Sequence, residues 1–386
     1  MTSASGEAGI EVSLDVSAVP ERPAGAGRYV LELAGALVDQ AHCGLTLLAR
    51  RDDGDRWAEV APGGRVCPVV PPRRVTRLFY EQVRLGSVIG ALAGPSVGVH
   101  HGPHYTMPRR SRVPCVVTVH DLTFFDHPEW HERSKVAWFR AATRYSARHA
   151  AAIICVSETT AERLRDLLAP RCPVVVVPHG VDGARFVADE PGPGLDRTVL
   201  ERLGLLRPYV LHLGTLEPRK GIADLVAAFE HLSTAHADLE LVLAGGLGWG
   251  SRPVTRAIAG ARSVGRIRRL GYVPDADVPA LLRGARVIAY PSIEEGFGLP
   301  ALEALACGAP LVTTSGTSMA ELAGDSALLV PAGQPLALAT AVEEAIAAPS
   351  ADRDRRRAEG LAIAARHTWQ ACAEGHLAAY RIGAAQ

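Results

Sequence analysis

The sequence predicts an α/β protein with doubly wound, mainly parallel sheets, built as two domains. Three observations carry that reading. Short apolar, β-rich runs alternate with helical patterns almost throughout the chain. Several runs, such as VVVV at 174–177 and LVLA at 241–244, are apolar on consecutive residues, as strands buried on both faces of a parallel sheet are. The 386 residues exceed one ordinary core, and a Pro-Gly-rich interruption falls near the middle.

In chain order, the expected strands are Glu11–Val16, Leu45–Ala49, Val113–Val119, Ala152–Val156, Val174–Val177, Tyr209–Leu213, Leu239–Ala244, Val287–Tyr290 and Pro310–Thr313. After PHGVDGARF the Pro-Gly pairs at 191–194 stop regular structure, and a fresh strand begins at Tyr209. This gives a first domain over 1–190, a linker over 191–205, a second domain over 206–365 and a terminal segment over 366–386. No repeat of 20–50 residues is visible. Ligands of open α/β sheets sit at the carboxyl ends of strands, so the loops after these strands are where chemistry belongs. Two such domains facing each other would enclose a cleft.

Composition excludes several classes. Hydrophobic residues make up 48% and charged residues 21%, so the chain buries cores and is not a disordered polymer. Lys+Arg and Asp+Glu are 41 each, and neither half is strongly basic: 23 bases against 22 acids over 1–200, then 18 against 19. That argues against a nucleic-acid partner. Seven scattered Cys without CxxC spacing fit reduced thiols rather than disulfides or a zinc site. MTSASGEAGIEVSLDV has no basic segment followed by an apolar one, so no signal peptide is expected, and no apolar run reaches the ~18 residues of a membrane span. A cytoplasmic location follows as the expectation. Only Lys135 and Lys220 are Lys among the 41 bases.

The strongest local signal is YPSIEEGFGLPALEALACGAPLV, 290–312. Pro300 fits the first helical position and Gly308 the residue just past the helix end. Between strand and helix lie Glu295, Gly296, Phe297, Gly298 and Leu299, where two glycines let backbone N–H groups approach a ligand beside a helix N-terminus. Glu295 before the turn and Glu303, read as first-turn, could accept hydrogen bonds from vicinal hydroxyls of a sugar or ribose. An isolated acidic pair would more simply be a helix-dipole residue and a surface residue; the Gly-Phe-Gly turn between them favours the ligand.

The second signal is HLGTLEPRKGIADLVAAF, 212–229, where a strand ends at Gly214 and a helix opens near Gly221. Arg219 and Lys220 at a helix entrance oppose the dipole, a cost that a bound diphosphate converts into attraction. The plain alternative is a solvated pair. GTLEPRKG lacks the spacing GxxxxGK[ST], and GAGRYV (25–30) and GGLGWG (245–250) lack the third glycine of a dinucleotide fingerprint, which disfavours a kinase or a nicotinamide oxidoreductase.

Softer signals remain. Gly25 and Gly27 open a helix after the first strand and could wrap an anionic group or an acceptor. His120 and Asp121 follow Val113–Val119; His120 could serve a sugar hydroxyl or be a structural core histidine. Ser157 reads first as a helix N-cap. The Val273 region could present backbone to a base. Asp53-Gly54-Asp55 reads as a solvated loop and Asp275-Ala276-Asp277 as a helix cap, and no HExxH occurs, so no metal site is expected. Two basic amphipathic stretches, 72–85 and 131–150, fit either peripheral membrane contact or a solvated stripe over a core face; Arg140, Arg144 and Arg148 share one helical face in the second.

Taken together, GTLEPRKG, LAGG, LGYVPD, YPSIEEGFGLPALEALACGAPLV and ELAGDSALLVPAG in the second half, with AGAGRYVLEL, VTVHDL, ICVSE and VPHGVD in the first, resemble the retaining family 4 glycosyltransferases (glycosyl transferases group 1) of the GT-B fold. RHTWQACAEGHLAAYR resembles the C-terminal helix that in this fold crosses back to the N-terminal domain. The resemblance implies metal-independent transfer of a hexose, mannose being one reading, from a nucleoside-diphosphate sugar to a hydroxyl-bearing glycan, lipid-linked or small-molecule acceptor. Arg219 and Lys220 would hold the diphosphate. Glu295, with the amides of Gly296, Phe297 and Gly298, would hold the donor sugar, with Gly214 and Leu299 lining that site. Glu303 would take the ribose, Val273 the base, and His120 would lie beside the sugar. Gly25, Gly27 and Asp121 would line the acceptor side or the donor phosphate. A nucleotide-sugar epimerase or hydrolase of the same fold and a non-catalytic nucleotide-sugar-binding protein are the competing readings; intact Arg219, Lys220, Glu295 and Glu303 disfavour the last.

Overall fold

The structure is a computed structural model and describes residues 9–21, 23, 25–92 and 98–386; the first eight residues, on which part of the signal-peptide reading rests, lie outside it. The chain divides into two compact units. One comprises Met1–Phe125, Arg133–His179 and Trp369–Gln386; the other comprises Asp126–Glu132 and Gly180–Thr368.

The first unit holds a sheet in the order β3-β2-β1-β4-β5-β6-β7: β1 (Ile10–Asp15), β2 (Cys43–Arg50), β3 (Arg65–Val70), β4 (Gly98–Gly102), β5 (Cys115–Val119), β6 (Ala152–Cys155) and β7 (Val174–Val176). The second holds β10-β9-β8-β11-β12-β13: β8 (Tyr209–Leu213), β9 (Glu240–Ala244), β10 (Ile267–Gly271), β11 (Val287–Tyr290), β12 (Leu311–Thr314) and β13 (Ala327–Val330). Every pairing in both sheets is parallel.

Nine of these strands match expected ones. The other four fall short of the pattern for identifiable reasons. Pro68 interrupts β3, Arg268 and Arg269 make β10 polar, and β13 has partly exposed residues; all three are sheet edges, where burial is one-sided. β4, GVHHG, is wholly buried, but two histidines hide its apolar character.

Burial drives both halves. β5, β9 and β11 are buried along their whole length. In the second unit, Leu225, Phe229 and Leu232 of the helix Ile222–Ala235 join Leu241, Leu243 and Val287 in one core. Each such side chain contributes about 1.5–3 kcal/mol.

The expected linker 191–205 is not an unstructured connection. It carries the helix Leu195–Arg202, which belongs to the second unit and packs on the helix Val278–Gly284. Asp196 takes both Arg283 Nε and Nη2 at 2.6 Å, and Arg202 meets Asp277 at 2.6 Å. The local Pro-Gly signal was real, but these long-range ion pairs fold the segment back. The C-terminal helix Trp369–Ala384 sits in the first unit, burying Trp369, Cys372, Ala373, His376, Leu377 and Tyr380 there.

Candidate active site

The strand order reverses direction between β8 and β11. At such a switch point two adjacent loops part and leave a crevice at the carboxyl ends. Here those loops are the two strongest sequence signals, 214–221 after β8 and 291–298 after β11.

β8 runs into Gly214, whose φ of 147° suits glycine, and the 3₁₀ turn Pro218–Lys220 delivers Arg219 and Lys220. Gly221, at φ 65°, then starts the helix Ile222–Ala235. The second loop is tied to the first by backbone: the Ile293 N–H donates to the Arg219 carbonyl at 2.8 Å. Gly298, at φ 98°, caps the helix Leu299–Ala306, so the helix opens at Leu299 and Pro300 is its second residue. Gly308, at φ 66°, follows its end as expected.

These loops bring Arg219, Lys220 and Glu295 together. Lys220 Nζ donates to Glu295 Oε1, and Arg219 Nη1 lies 3.3 Å from Glu295 Oε2. Arg219 Nε also reaches Glu217 at 2.9 Å. Ser292 Oγ donates to Glu295 Oε1 at 3.2 Å, and Ser318 Oγ holds the Glu295 carbonyl at 2.7 Å. Burial pushes the Glu295 carboxyl up, but Lys220 and Arg219 overcome that and hold it at about 2. Burial also draws the Lys220 ammonium below its usual range against the pull of Glu295. The group is a salt-bridged cluster of Arg219 and Lys220 with Glu295 and Glu217, not a solvated Arg-Lys pair.

Glu303 lies in the second helical turn rather than the first, because the helix begins at Leu299. It is only 7% exposed, so it is no surface dipole residue. Burial, then Glu303, then Glu295 raise the Tyr290 hydroxyl well above its ordinary value. Phe297 is buried. Gly214, Gly245 and Gly271 close β8, β9 and β10 with positive φ. Gly214 N–H donates to Ala244 at 2.8 Å and Gly245 N–H to Gly271 at 2.7 Å, giving a backbone ledge without side chains. Val273, just beyond it, is buried while Tyr272 is exposed.

In the first unit, His120 is buried beside Tyr29, His104 and His179, with ring centroids 5.1, 5.6 and 5.8 Å away. Its Nε2 donates to the Pro103 carbonyl at 2.7 Å, and burial lowers its pKa, so the ring is neutral. Asp121 accepts from the Thr123 N–H at 3.2 Å and the Thr123 hydroxyl at 2.8 Å, a local cap for the short helix Thr123–Asp126. Gly25 caps the helix Ala26–Val38 at φ 50°, and Gly27 is buried, a Cβ there standing 3.1 Å from Pro23. Ser157 accepts from the Thr160 N–H at 3.1 Å, the N-cap expected.

Two acidic readings need correction. Asp53 is not solvated: it is buried, bonded to Trp57 Nε1 at 3.1 Å and paired with Arg50 at 2.9 Å. Asp277 stands at a helix N-cap position without making a side-chain cap bond; it pairs with Arg202 instead. Among the described residues no three His, Cys, Asp or Glu side chains group to hold a metal ion.

Sequence reasoning missed Ser292, Ser318 and His212. Ser292 lies in the loop after β11 and Ser318 opens the helix Ser318–Ala323, positions where Ser signals only a turn or a helix start, and His212 is fully buried on β8. It also missed a buried polar network in the first unit. Tyr29 bridges His376 Nε2 (2.7 Å) and Thr118 (2.9 Å); Thr118 meets His101 (2.8 Å), which meets Tyr380 (2.7 Å).

The profile of glycosyl transferases group 1 matches residues 203–361, and that of glycosyltransferase family 4 matches residues 23–185. O-antigen chain mannosyltransferase B of Escherichia coli is 32% identical over 286 residues, 74% of each chain. Glycogen synthase of Mycobacterium tuberculosis (strain CDC 1551 / Oshkosh) is 29% identical over 278 residues, 70% of this chain and 64% of that one. Two solved structures share the fold. Sucrose-phosphate synthase from Thermosynechococcus elongatus superposes with a TM-score of 0.76 at 21% identity, over 96% of this chain and 98% of that one. Anabaena HepE in complex with UDP and glucose gives 0.73 at 19%, over 96% and 98%. Two parallel-sheet, Rossmann-like units, matched by both profiles and by a relative covered over most of its length, place the chain in glycosyltransferase family 4: it is a glycosyltransferase of the GT-B fold.

Proposed function

We propose that this chain transfers a hexose from a nucleoside-diphosphate sugar to a hydroxyl-bearing acceptor, with retention and without a metal ion. The observation that carries this is the ionised Arg219–Lys220–Glu295 cluster at the switch point. Arg219 and Lys220 neutralise the diphosphate and the charge that grows on it as the glycosidic bond breaks. In doing so they supply what a divalent cation supplies elsewhere. Glu295 and the amides after it hold the sugar hydroxyls, and buried Glu303 takes the ribose. The Val273 segment takes the base; His120 and the Gly25–Gly27 loop of the first unit are assigned, on the family resemblance alone, to the sugar and to the acceptor or phosphate. The relative from Escherichia coli is a mannosyltransferase, which makes mannose the first donor sugar to test.

The test is a thermal-shift panel of nucleoside diphosphates and their sugars. A ligand at 100 times its dissociation constant adds about 2.7 kcal/mol. One nucleotide sugar should stabilise the second unit, and turnover with an acceptor should persist in excess EDTA. A flat panel sinks the donor reading, and strict dependence on Mn²⁺ sinks the metal-free part.

A contact with an anionic membrane surface belongs to the same reading, through 72–85 rather than 131–150. The helix Arg74–Val83 exposes Val75 (79%), Phe79 (66%) and Val83 (57%) along one stripe flanked by exposed Arg73, Arg74 and Arg84. In the helix Arg133–His149, by contrast, Arg140 is engaged with the Phe124 and Phe125 carbonyls at 2.7 and 3.0 Å. Among the described residues no helix is long and apolar enough to cross a membrane; the proposed contact is peripheral. Sedimentation with vesicles of equal parts phosphatidylglycerol and phosphatidylcholine should carry the protein down, and Phe79→Ser should release it. Equal recovery with and without vesicles refutes the contact.

A further inference from the structure

His212 lies at the β8 end, and the donor reading does not use it. Its ring is fully buried. Nδ1 hydrogen-bonds the Ala289 carbonyl of β11 at 3.1 Å, so Nδ1 carries the proton and Nε2 is a bare acceptor. That Nε2 is buried and has no hydrogen-bond partner. It points toward the loop that carries the cations: a Cβ on Gly214 would stand 3.8 Å from it. The ring lies edge-on to Tyr290, at 5.3 Å and 72°. An empty buried acceptor destabilises a fold, and a Leu of similar volume would serve the core better. A histidine there calls for a donor: the neighbouring Tyr290 hydroxyl is likewise buried without a partner, and Lys220, on the loop that Nε2 faces, brings three N–H groups and a charge that the imidazole senses.

We propose that His212 is a positioning residue for transfer, its Nε2 accepting one N–H of Lys220 when the ammonium turns from Glu295 to the donor diphosphate. Lys220 has three N–H groups: one for Nε2 fixes the rotation of the ammonium, and the others face the diphosphate, leaving Glu295 to the sugar hydroxyls. Burial, opposed by Ala289 and reinforced by the Lys220 charge, holds the imidazole at about 4, so the lone pair is present at any working pH. This rests on the assignment of Lys220 to the diphosphate.

Three variants test it. His212→Asn keeps a donor near the Nδ1 position for Ala289 and lacks an acceptor at Nε2. His212→Leu fills the volume with no polar atom. His212→Gln brings an amide oxygen to the Nε2 position. Expected are a fall in kcat of about tenfold or more for Asn and Leu with donor KM little changed, a Tm for Leu no lower than wild type, and recovery of most of the loss by Gln. Wild-type kcat in Asn and Leu overturns the inference. So does a fall in kcat that follows Tm across all three variants without rescue by Gln, which marks a structural role. Lys220→Ala is assayed beside them. If it keeps the wild-type rate, the diphosphate reading itself fails; if it is crippled while the His212 variants are not, only the role of His212 is lost.

Discussion

Gly221 sits directly on Pro291: a Cβ at Gly221 would lie 2.0 Å from the Pro291 carbonyl oxygen and 2.9 Å from its carbon. The residue after Lys220 thus touches the residue after β11, and that close approach sets the spacing of the two donor loops.

Gly221→Ala should therefore act as an active-site mutation without altering a functional group. Both the φ of 65° and the backbone contact oppose a methyl group, and neither partner is a flexible side chain. Loops displaced by about 1 Å lose about 100-fold in turnover. Gly194→Ala is the control: it is left-handed too, at φ 76°, but nothing lies within 4 Å of its Cβ position, so it should show only the left-handed strain of about 1–2 kcal/mol. A steady-state assay with wild-type rates for Gly221→Ala would contradict this.

Lys220→Ala should cost about 2–4 kcal/mol of transition-state stabilisation, a fall in kcat/KM of roughly 30- to 900-fold. The fall should appear mainly in kcat, because the leaving diphosphate gains charge as the bond breaks. Nucleotide-release kinetics with donor and acceptor would show it, and an unchanged kcat would remove Lys220 from the chemistry.

Tyr29→Phe should destabilise the first unit by about 1–3 kcal/mol. The lost hydroxyl strands His376 Nε2 in the core, which Tyr29 now serves at 2.7 Å, and leaves Thr118 Oγ1 with His101 alone. The C-terminal helix carrying His376 should exchange its amides faster, read by hydrogen–deuterium exchange. Unchanged protection in 372–380 would count against the network as its anchor.

Stability should fall on both sides of a near-neutral optimum, for opposite reasons. Burial and then the Asp15 carboxylate raise the Glu81 carboxyl to about 8, so the folded state binds a proton that the unfolded state has released above 4.5. Its contribution is whole below 4.5 and is lost as pH rises through 8. Glu81→Gln should therefore gain in Tm over wild type at pH 8 and show no gain at pH 4.5. On the acid side, burial lowers His376 and His100 to about 4, so stability is whole above 6.5 and is lost as pH falls from 6.5 to 4. Calorimetry across pH 4–8 checks both slopes; a Glu81→Gln curve parallel to wild type would refute the first.

Much of this was legible locally. Apolar runs such as CVVTV and ELVLA report two-sided burial, and their periodicity needs no partner to be recognised. Gly214, Gly221 and Gly298 mark their turns by backbone freedom alone. The edge strands β3, β10 and β13 and the histidine-bearing β4 escaped, because edges bury one face and a buried imidazole reads as polar.

Sequence alone determined the layered α/β class, the two-unit plan and the pair of strand-end turns bearing cations and acids. Tertiary structure decided which charges meet. Lys220 finds Glu295 75 positions away, Asp53 finds Arg50 rather than water, and Asp196 and Asp277 find arginines that fold the supposed linker into the second unit. The reason is physical: backbone preference and hydrophobic period are properties of neighbouring residues, whereas a charge's partner depends on which strand ends the sheet order places side by side.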